Sequence, residues 1–294
     1  MLESWAETNK RISALSDRQL FFVGGAPRSG TTWLQQILDS HPDASCKGEG
    51  LFSKELVPQL EAVMAQRARA LAAKNQQLFQ HTGGFPLPTE QDTAFLSGSV
   101  ILLALSQAAG GRALRAYGEK TPENVFFFPR LRQLFPHAKF IGIARDPRDV
   151  LTSAWFFFRN AAPGQDDAAE KLDFIRSALP SLAEGARAMI AFGKDYPDSY
   201  SLVTYERLRA APVPEVAALF RFLGLSDRSE TVSACLERTS FAVATGGRPA
   251  GVAQNGAFLR KGVVGDWRTT LTPAMNDLIL GDLGWMFPHF GWQP

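Results

Sequence analysis

Leu20-Phe21-Phe22-Val23-Gly24-Gly25-Ala26-Pro27-Arg28-Ser29-Gly30-Thr31-Thr32-Trp33 is the stretch on which the fold turns. A short apolar run, Leu20 to Gly24, reads as a buried strand; a Gly/Pro/Ser loop follows, and a helix runs from Thr31 to about Leu38. Glycines in such a loop let several backbone N–H groups converge on one anion at the positive end of the helix. Ser29, Thr31 and Thr32 add hydroxyl donors and Arg28 adds charge. The spacing of Gly25 and Gly30 is that of a Walker A loop, but Thr31 stands where the loop lysine belongs. That lysine serves the β- and γ-phosphates of a nucleoside triphosphate, so triphosphate chemistry is disfavoured. A ligand with a single 5′-side phosphate needs the cradle and not the lysine.

Working outward, short apolar strands alternate with helices. Ala116 to Gly118 ends a second strand, and Pro122 opens the helix after it. Lys139 to Ala144 (KFIGIA) is a third strand, followed by helix from Pro147 to Phe158, and Ser201 to Thr204 (SLVT) is a fourth. This alternation predicts an α/β fold: a P-loop-containing parallel sheet of four or five strands with helices on both faces. Residues 1–294 read as one domain, and the first 19 as a short helix leading into the first strand. Residues 53–111 form a helical insertion, broken by the turn-rich HTGGFPLPTE, that is expected to build the acceptor side. Asp166 to Phe192 is a second long helical stretch. The glycine-rich run Thr239 to Trp267 is expected to close on a ligand.

Bulk properties mostly exclude. The 294 residues carry 31 Lys and Arg against 29 Asp and Glu, so net charge points to no polyanion and no nucleic-acid partner is expected. The two cysteines, Cys46 and Cys235, are too few for a disulfide framework and fit reduced thiols. No apolar run is long enough to span a bilayer, and the N-terminus lacks the apolar centre of a signal peptide, so the expected compartment is the cytoplasm. No His, Cys or Asp spacing suggests a metal.

Three motifs together carry a resemblance. GAPRSGTTWLQQILDSHPD (25–43) resembles the 5′-phosphosulfate loop of sulfotransferases that use 3′-phosphoadenosine-5′-phosphosulfate (PAPS), in the style of the tyrosylprotein enzymes and their bacterial relatives. IARDPRDVLTSAWFFFR (143–159) resembles that family's 3′-phosphate segment, which implies Arg145 and Ser153 as ligands of the 3′-phosphate. Arg260-Lys261-Gly262-Val263-Val264-Gly265-Asp266-Trp267 resembles the RKGxxGxW loop that closes over the same phosphate. Independently of the family, three cations on one dianion give strong charge-assisted bonds. The resemblance also implies Trp33 and Phe241 against the adenine, with Thr239 and Tyr205 as polar contacts, and adenosine 3′,5′-bisphosphate (PAP) as the product. Arg148 reads equally as a turn-holder or a ligand contact.

Sulfuryl transfer requires a base for the acceptor hydroxyl and cationic support for the moving group. The cytosolic members resembled here carry Lys-Thr-His. In Gly118-Glu119-Lys120-Thr121-Pro122 a proline replaces that histidine, so the base lies elsewhere. The tyrosylprotein enzymes use a glutamate shortly after HPDxxC, and Glu49 falls at the matching place. Glu49 is therefore the expected base, with Lys120 and Arg28 supporting the sulfate oxygens; Glu119 is the alternative. His41 reads as a structural cap, His81 and His137 as solvated, and His289 as packed. The acceptor is expected to be a small or lipid-like alcohol or phenol, with a peptide tyrosine left open. Whether Phe126–Phe128 and Trp155–Phe158 line its pocket or only the core is also open, as is oligomeric state. The rival readings are a P-loop kinase of a small molecule and a catalytically silent nucleotide-binding module.

Overall fold

The computed structural model describes residues 4–158, 167–254 and 257–294. A capped helix α1 (Trp5–Ser16) leads into β1 (Gln19–Gly24), α2 (Thr31–Asp39) and β2 (Ala44–Gly48). A π-helical turn at Phe52–Leu56 opens α3 (Val57–Leu78), and α4 (Glu90–Ala108) follows it. Next come β3 (Ala116–Lys120), α5 (Asn124–Leu134), β4 (Lys139–Ala144), α6 (Pro147–Phe158), α7 (Ala168–Asp195) and β5 (Tyr200–Thr204). The remainder is helical: α8 (Tyr205–Ala210), α9 (Pro212–Phe222), α10 (Ser229–Arg238), α11 (Phe241–Ala244), α12 (Pro273–Leu283) and α13 (Phe287–Phe290).

The five strands form one parallel sheet in the order β2-β3-β1-β4-β5. Alternation along each strand builds a core on each face. Leu20 and Phe22 of β1 join Tyr117 and Phe140 under α1, α4, α5, α7 and α12. Phe21 and Val23 point the other way, with Ile141 and Ile143, under α2, α9 and α10. From β1 the chain first builds outward on one side, through β2 and β3, and then on the other, through β4 and β5. The carboxyl end of β1 is thus the switch point where ligands settle in open α/β sheets.

Three of the four expected strands fall where the sequence put them, and the helix Pro147–Phe158 does too. The differences have local causes. Ala116 opens β3 rather than closing it, and α5 begins at Asn124, leaving Pro122 in the preceding turn. β2 is the strand the sequence reading lacks: Ala44-Ser45-Cys46-Lys47-Gly48 is short, at the sheet edge, and exposed over its last two residues. Asp166, the expected start of the second long helical stretch, lies outside the described residues.

Gly118 pairs with Phe21 across β3 and β1, and a Cβ on it would lie 2.2 Å from the Phe21 ring. Gly118→Ala is therefore expected to destabilise the fold by about 1–3 kcal/mol through overpacking, read as a lower urea midpoint at unchanged slope.

Candidate active site

The loop after β1 is rigid from within. Gly25 donates its N–H to the Pro122 carbonyl at 3.0 Å, and a Cβ there would meet the Ile143 oxygen at 2.2 Å. Gly30 caps α2 at φ +97°, and a side chain on it would strike the Tyr205 ring at 2.7 Å. Ser29 donates its hydroxyl to the carbonyls of Ala26 (2.6 Å) and Ile143 (3.3 Å), and its N–H to Ala26 as well. Its side chain thus closes the loop on itself and does not line the cavity. Thr31, Thr32 and Trp33, whose N–H groups form the open first turn of α2, do line it.

Two side chains meet at the ends of β2 and β3. The register pairs Gly48 with Lys120, so the next residue, Glu49, comes level with the lysine head. Lys120 Nζ donates to Glu49 Oε1 at 2.5 Å and approaches Thr32 Oγ1 at 3.5 Å. The lysine side chain is 4% exposed and the glutamate 43%, so the carboxylate faces the cavity with the ammonium behind it. Glu119 is placed differently. Its oxygens accept from the Gly50 N–H (2.8 Å), the Thr121 hydroxyl (2.5 Å) and Asn124 Nδ2 (2.8 Å), and burial pushes its carboxyl up. It fixes the chain where β2 leaves the sheet.

On the other side of the loop lies a cationic cluster. Arg28 Nε donates to Ser153 Oγ at 3.3 Å, and its Nη2 to the Phe258 carbonyl at 2.5 Å. Its guanidinium lies 4.4 Å from the Phe157 ring centre and 5.0 Å from that of Phe258. Burial, then the neighbouring charges of Arg145 and Arg260, push Arg28 down to about 10. The Arg28 guanidinium reaches Ser153 of α6 from a backbone at positive φ. Arg145, at the end of β4, donates to the carbonyls of Arg28 (3.1 Å) and Val263 (2.9 Å) and lies 4.4 Å from the Tyr205 ring centre. Its Nε–H has no acceptor among the described residues.

Two aspartates, singled out by no sequence signal except their place inside the motifs, organise this cluster. Asp149, buried at the start of α6, accepts the N–H groups of Gly265 (2.7 Å) and Trp267 (3.1 Å) and lies 3.6 Å from Arg145 Nη2. It ties the Arg260 loop to the strand end. Asp266 pairs with Lys261 Nζ at 2.7 Å and with the Arg260 guanidinium, which also covers Phe156 at 4.4 Å. Gly262 presses on Phe241: a Cβ would fall 2.5 Å from that ring. Arg248, from the glycine-rich run, donates to the carbonyls of Val252, Leu259 and Arg260 and holds the loop from outside.

Trp33 donates Nε1–H to the Thr239 carbonyl at 3.1 Å and meets Tyr205 edge-on at 5.8 Å. Thr239, Tyr205 and Phe241 line the same end of the cavity, joined by Gln36 and Arg209, which the sequence did not single out. Thr239 gives its own hydroxyl to Cys235. Arg148 settles as a turn-holder. It forks onto Asp146, donates to the Gln293 carbonyl at 2.6 Å, and lies 4.0 and 4.7 Å from the ring centres of Trp267 and Phe287. His41 accepts the Asp43 N–H on Nδ1 (3.1 Å) and gives Nε2–H to Ser226 (3.1 Å), a cap kept neutral by burial.

Thr32, Glu49, Arg28, Arg145, Arg260 and Asp266 border one cavity of about 320 Å³. Phe157 and Phe158 line it, while Trp155 and Phe128 are buried in the core, so the aromatic runs divide between the two readings. Residues 53–111 contribute nothing to its wall: α4 is engaged with α1, α5 and β3 through Ile101, Leu102 and Leu105. Among the described residues no helix is long and apolar enough to cross a membrane.

A glycine-rich loop at the switch point, a lysine–glutamate pair beside it and a separate arginine cluster thus share one edge of the sheet. The chain matches the model of the Sulfotransferase family over residues 21–229 and belongs to that family. It is 27% identical over 209 residues to protein-tyrosine sulfotransferase 1 of Danio rerio (71% of this chain, 54% of that protein). To cytosolic sulfotransferase 17 of Arabidopsis thaliana it is 26% identical over 288 residues (87% and 70%). The chain spans between 52% and 66% of the length of the first three curated relatives it matches. The same fold occurs in mouse sulfotransferase SULT7A1 complexed with PAP (TM-score 0.57, 16% identity, 95% of this chain and 89% of that one). It occurs again in the sulfotransferase domain of a Synechococcus olefin synthase (TM-score 0.58, 20% identity, 95% and 96%).

Removing one member of a buried ion pair strands the other. Arg148→Ala is expected to lower stability by about 3–5 kcal/mol, measured by urea unfolding, because Asp146 is left unpaired.

Proposed function

We propose that this chain, acting as one domain over residues 1–294, moves a sulfuryl group from PAPS to a hydroxyl on an acceptor. The observation that carries the reading is the pairing, in one cavity, of two anion subsites: the open first turn of α2, and the Arg28–Arg145–Arg260 cluster. An adenosine nucleotide with phosphates on both its 5′ and 3′ positions fits that division; a triphosphate, lacking a lysine at Thr31, fits it poorly. The residues fit PAPS further in the unaccepted Nε–H of Arg145 and the glycine cradle at Gly25 and Gly30.

In this reading Gly30, Thr31 and Thr32 hold the 5′ phosphate, and Arg145, Ser153, Arg260, Lys261 and Gly262 the 3′ phosphate, with Arg28 between them. Trp33, Tyr205, Thr239 and Phe241 surround the adenine. When bound, PAPS supplies the sulfuryl group. Glu49 takes the proton of the acceptor hydroxyl, and Lys120, anchored on Glu49 and Thr32, offers a mobile positive charge to the departing oxygen. Glu49 is preferred to Glu119 because its carboxylate faces the cavity, whereas Glu119 is consumed by three donors.

Pro122, Phe157 and Phe158 give the cavity apolar wall, which favours a small or lipid-like alcohol or phenol. A peptide tyrosine is the second reading, favoured by the 27% identity to a protein-tyrosine sulfotransferase. The buried free thiols Cys46 and Cys235 favour a reducing compartment such as the cytoplasm.

Glu49→Gln is expected to keep PAP affinity while turnover with labelled PAPS falls roughly 10²–10⁴-fold; normal turnover removes Glu49 from the role. Arg145→Ala is expected to weaken PAP by at least about 30-fold and 5′-AMP far less, since a buried charge contact is lost only for the 3′ phosphate. Equal losses in titration calorimetry contradict the subsite assignment.

A further inference from the structure

Asp266 sits near the end of the motif that supplies two of the site's cations, and it is an acid. Its carboxylate is buried, borders the cavity, and engages both cations at once: Lys261 Nζ on Oδ1 at 2.7 Å and Arg260 on Oδ2. A carboxylate so placed offers the two oxygens that a phosphate would otherwise present to the same donors. Arginine and lysine heads have several N–H donors each, but a second anion brought to them also meets the charge of the first.

Asp149 makes the contrast. It too is a buried acid beside the cluster, yet its oxygens accept backbone N–H groups of Gly265 and Trp267, and it neutralises Arg145 only at 3.6 Å. Asp149 fixes the loop's course; Asp266 occupies the loop's charges.

We propose that Asp266 is a built-in counter-ion that competes with the nucleotide's 3′-phosphate for Arg260 and Lys261, and thereby limits how tightly donor and product are both held. This rests on the reading of Arg145, Ser153 and the Arg260 loop as the 3′-phosphate subsite. The physical reason for such a residue is that PAPS and PAP carry the same 3′ phosphate. Contacts to it stabilise both alike; they add nothing to the chemical step and retard release of the product. Before a nucleotide arrives, the same carboxylate keeps the buried Arg260 charge from being left alone.

The test is the ratio of PAP to 5′-AMP affinity, measured by calorimetry on the wild type, Asp266→Asn and Asp149→Asn. The ratio refers each variant to itself, so a general loss of stability does not move it. The wild type should prefer PAP; no preference overturns the subsite reading itself rather than the role of Asp266. Given that preference, Asp266→Asn is expected to raise the ratio about ten-fold, the scale of one charge interaction at a desolvated site. Asp149→Asn is expected to lower it. An unchanged or reduced ratio in Asp266→Asn overturns the proposal, and so does an equal rise in both variants, which would reduce the effect to net charge. If Asp266→Asn does not fold alone, it is refolded with PAP or with 5′-AMP: rescue by PAP only supports the counter-ion, and rescue by neither or by both equally overturns it.

Discussion

Strands of a parallel sheet all finish at the same edge, and this chain uses that constraint at every strand. Glu49 follows β2, Lys120 ends β3, the Gly25–Gly30 loop follows β1, Arg145 follows β4 and Tyr205 follows β5. The order β2-β3-β1-β4-β5 therefore lays them out as a row: acid, lysine, cradle, arginine, aromatic. Register does the fine alignment. Gly48 beside Lys120 and Val23 beside Lys120 bring three strand ends within reach of one lysine head, and Ala144 beside Thr204 sets Arg145 over Tyr205. A slip of one residue in β2 would turn Glu49 to the other face of the sheet.

Buried or half-buried ion pairs recur here, and what distinguishes them is where the acid faces. Asp146 is wrapped by Arg148, with rings of Trp267 and Phe287 closing over the guanidinium, so that pair contributes only to the frame. Glu119 is likewise saturated. Glu49 and Asp266 differ because each borders the cavity while holding a cation. A carboxylate at a cavity wall can exchange its partner for a ligand group; one sealed behind rings cannot without unfolding its neighbourhood.

The central fold was legible because Leu20–Gly24 and Phe140–Ala144 are strand segments buried on both faces, the strongest pattern such a sheet offers. β2 was not, because an edge strand of small and polar residues carries little periodicity. Within the site, residues readable as motif members were found, and their geometry was not. Nothing in PRSGTT distinguishes a serine that pins the loop from one that faces a ligand, since that depends on the distant carbonyl of Ile143. Arg28 reads as a neighbour of the cradle, yet its guanidinium meets Ser153, far off in sequence. Residues 53–111 read as helical, and the part of α4 in the core, over β3 and α5, depends on contacts distant in sequence.

Arg28 packs against two phenyl rings that meet edge-on, Phe157 and Phe258. A guanidinium shielded in this way has shed much of its hydration during folding, so little water remains to be stripped when it meets an anion. Mobile salt ions also reach it poorly, and screening over a Debye length of about 8 Å at physiological ionic strength governs exposed charges far more than enclosed ones. The attraction it exerts is accordingly short in range and resistant to added electrolyte, unlike that of an open basic surface, and it discriminates by fit rather than by gathering anions from a distance.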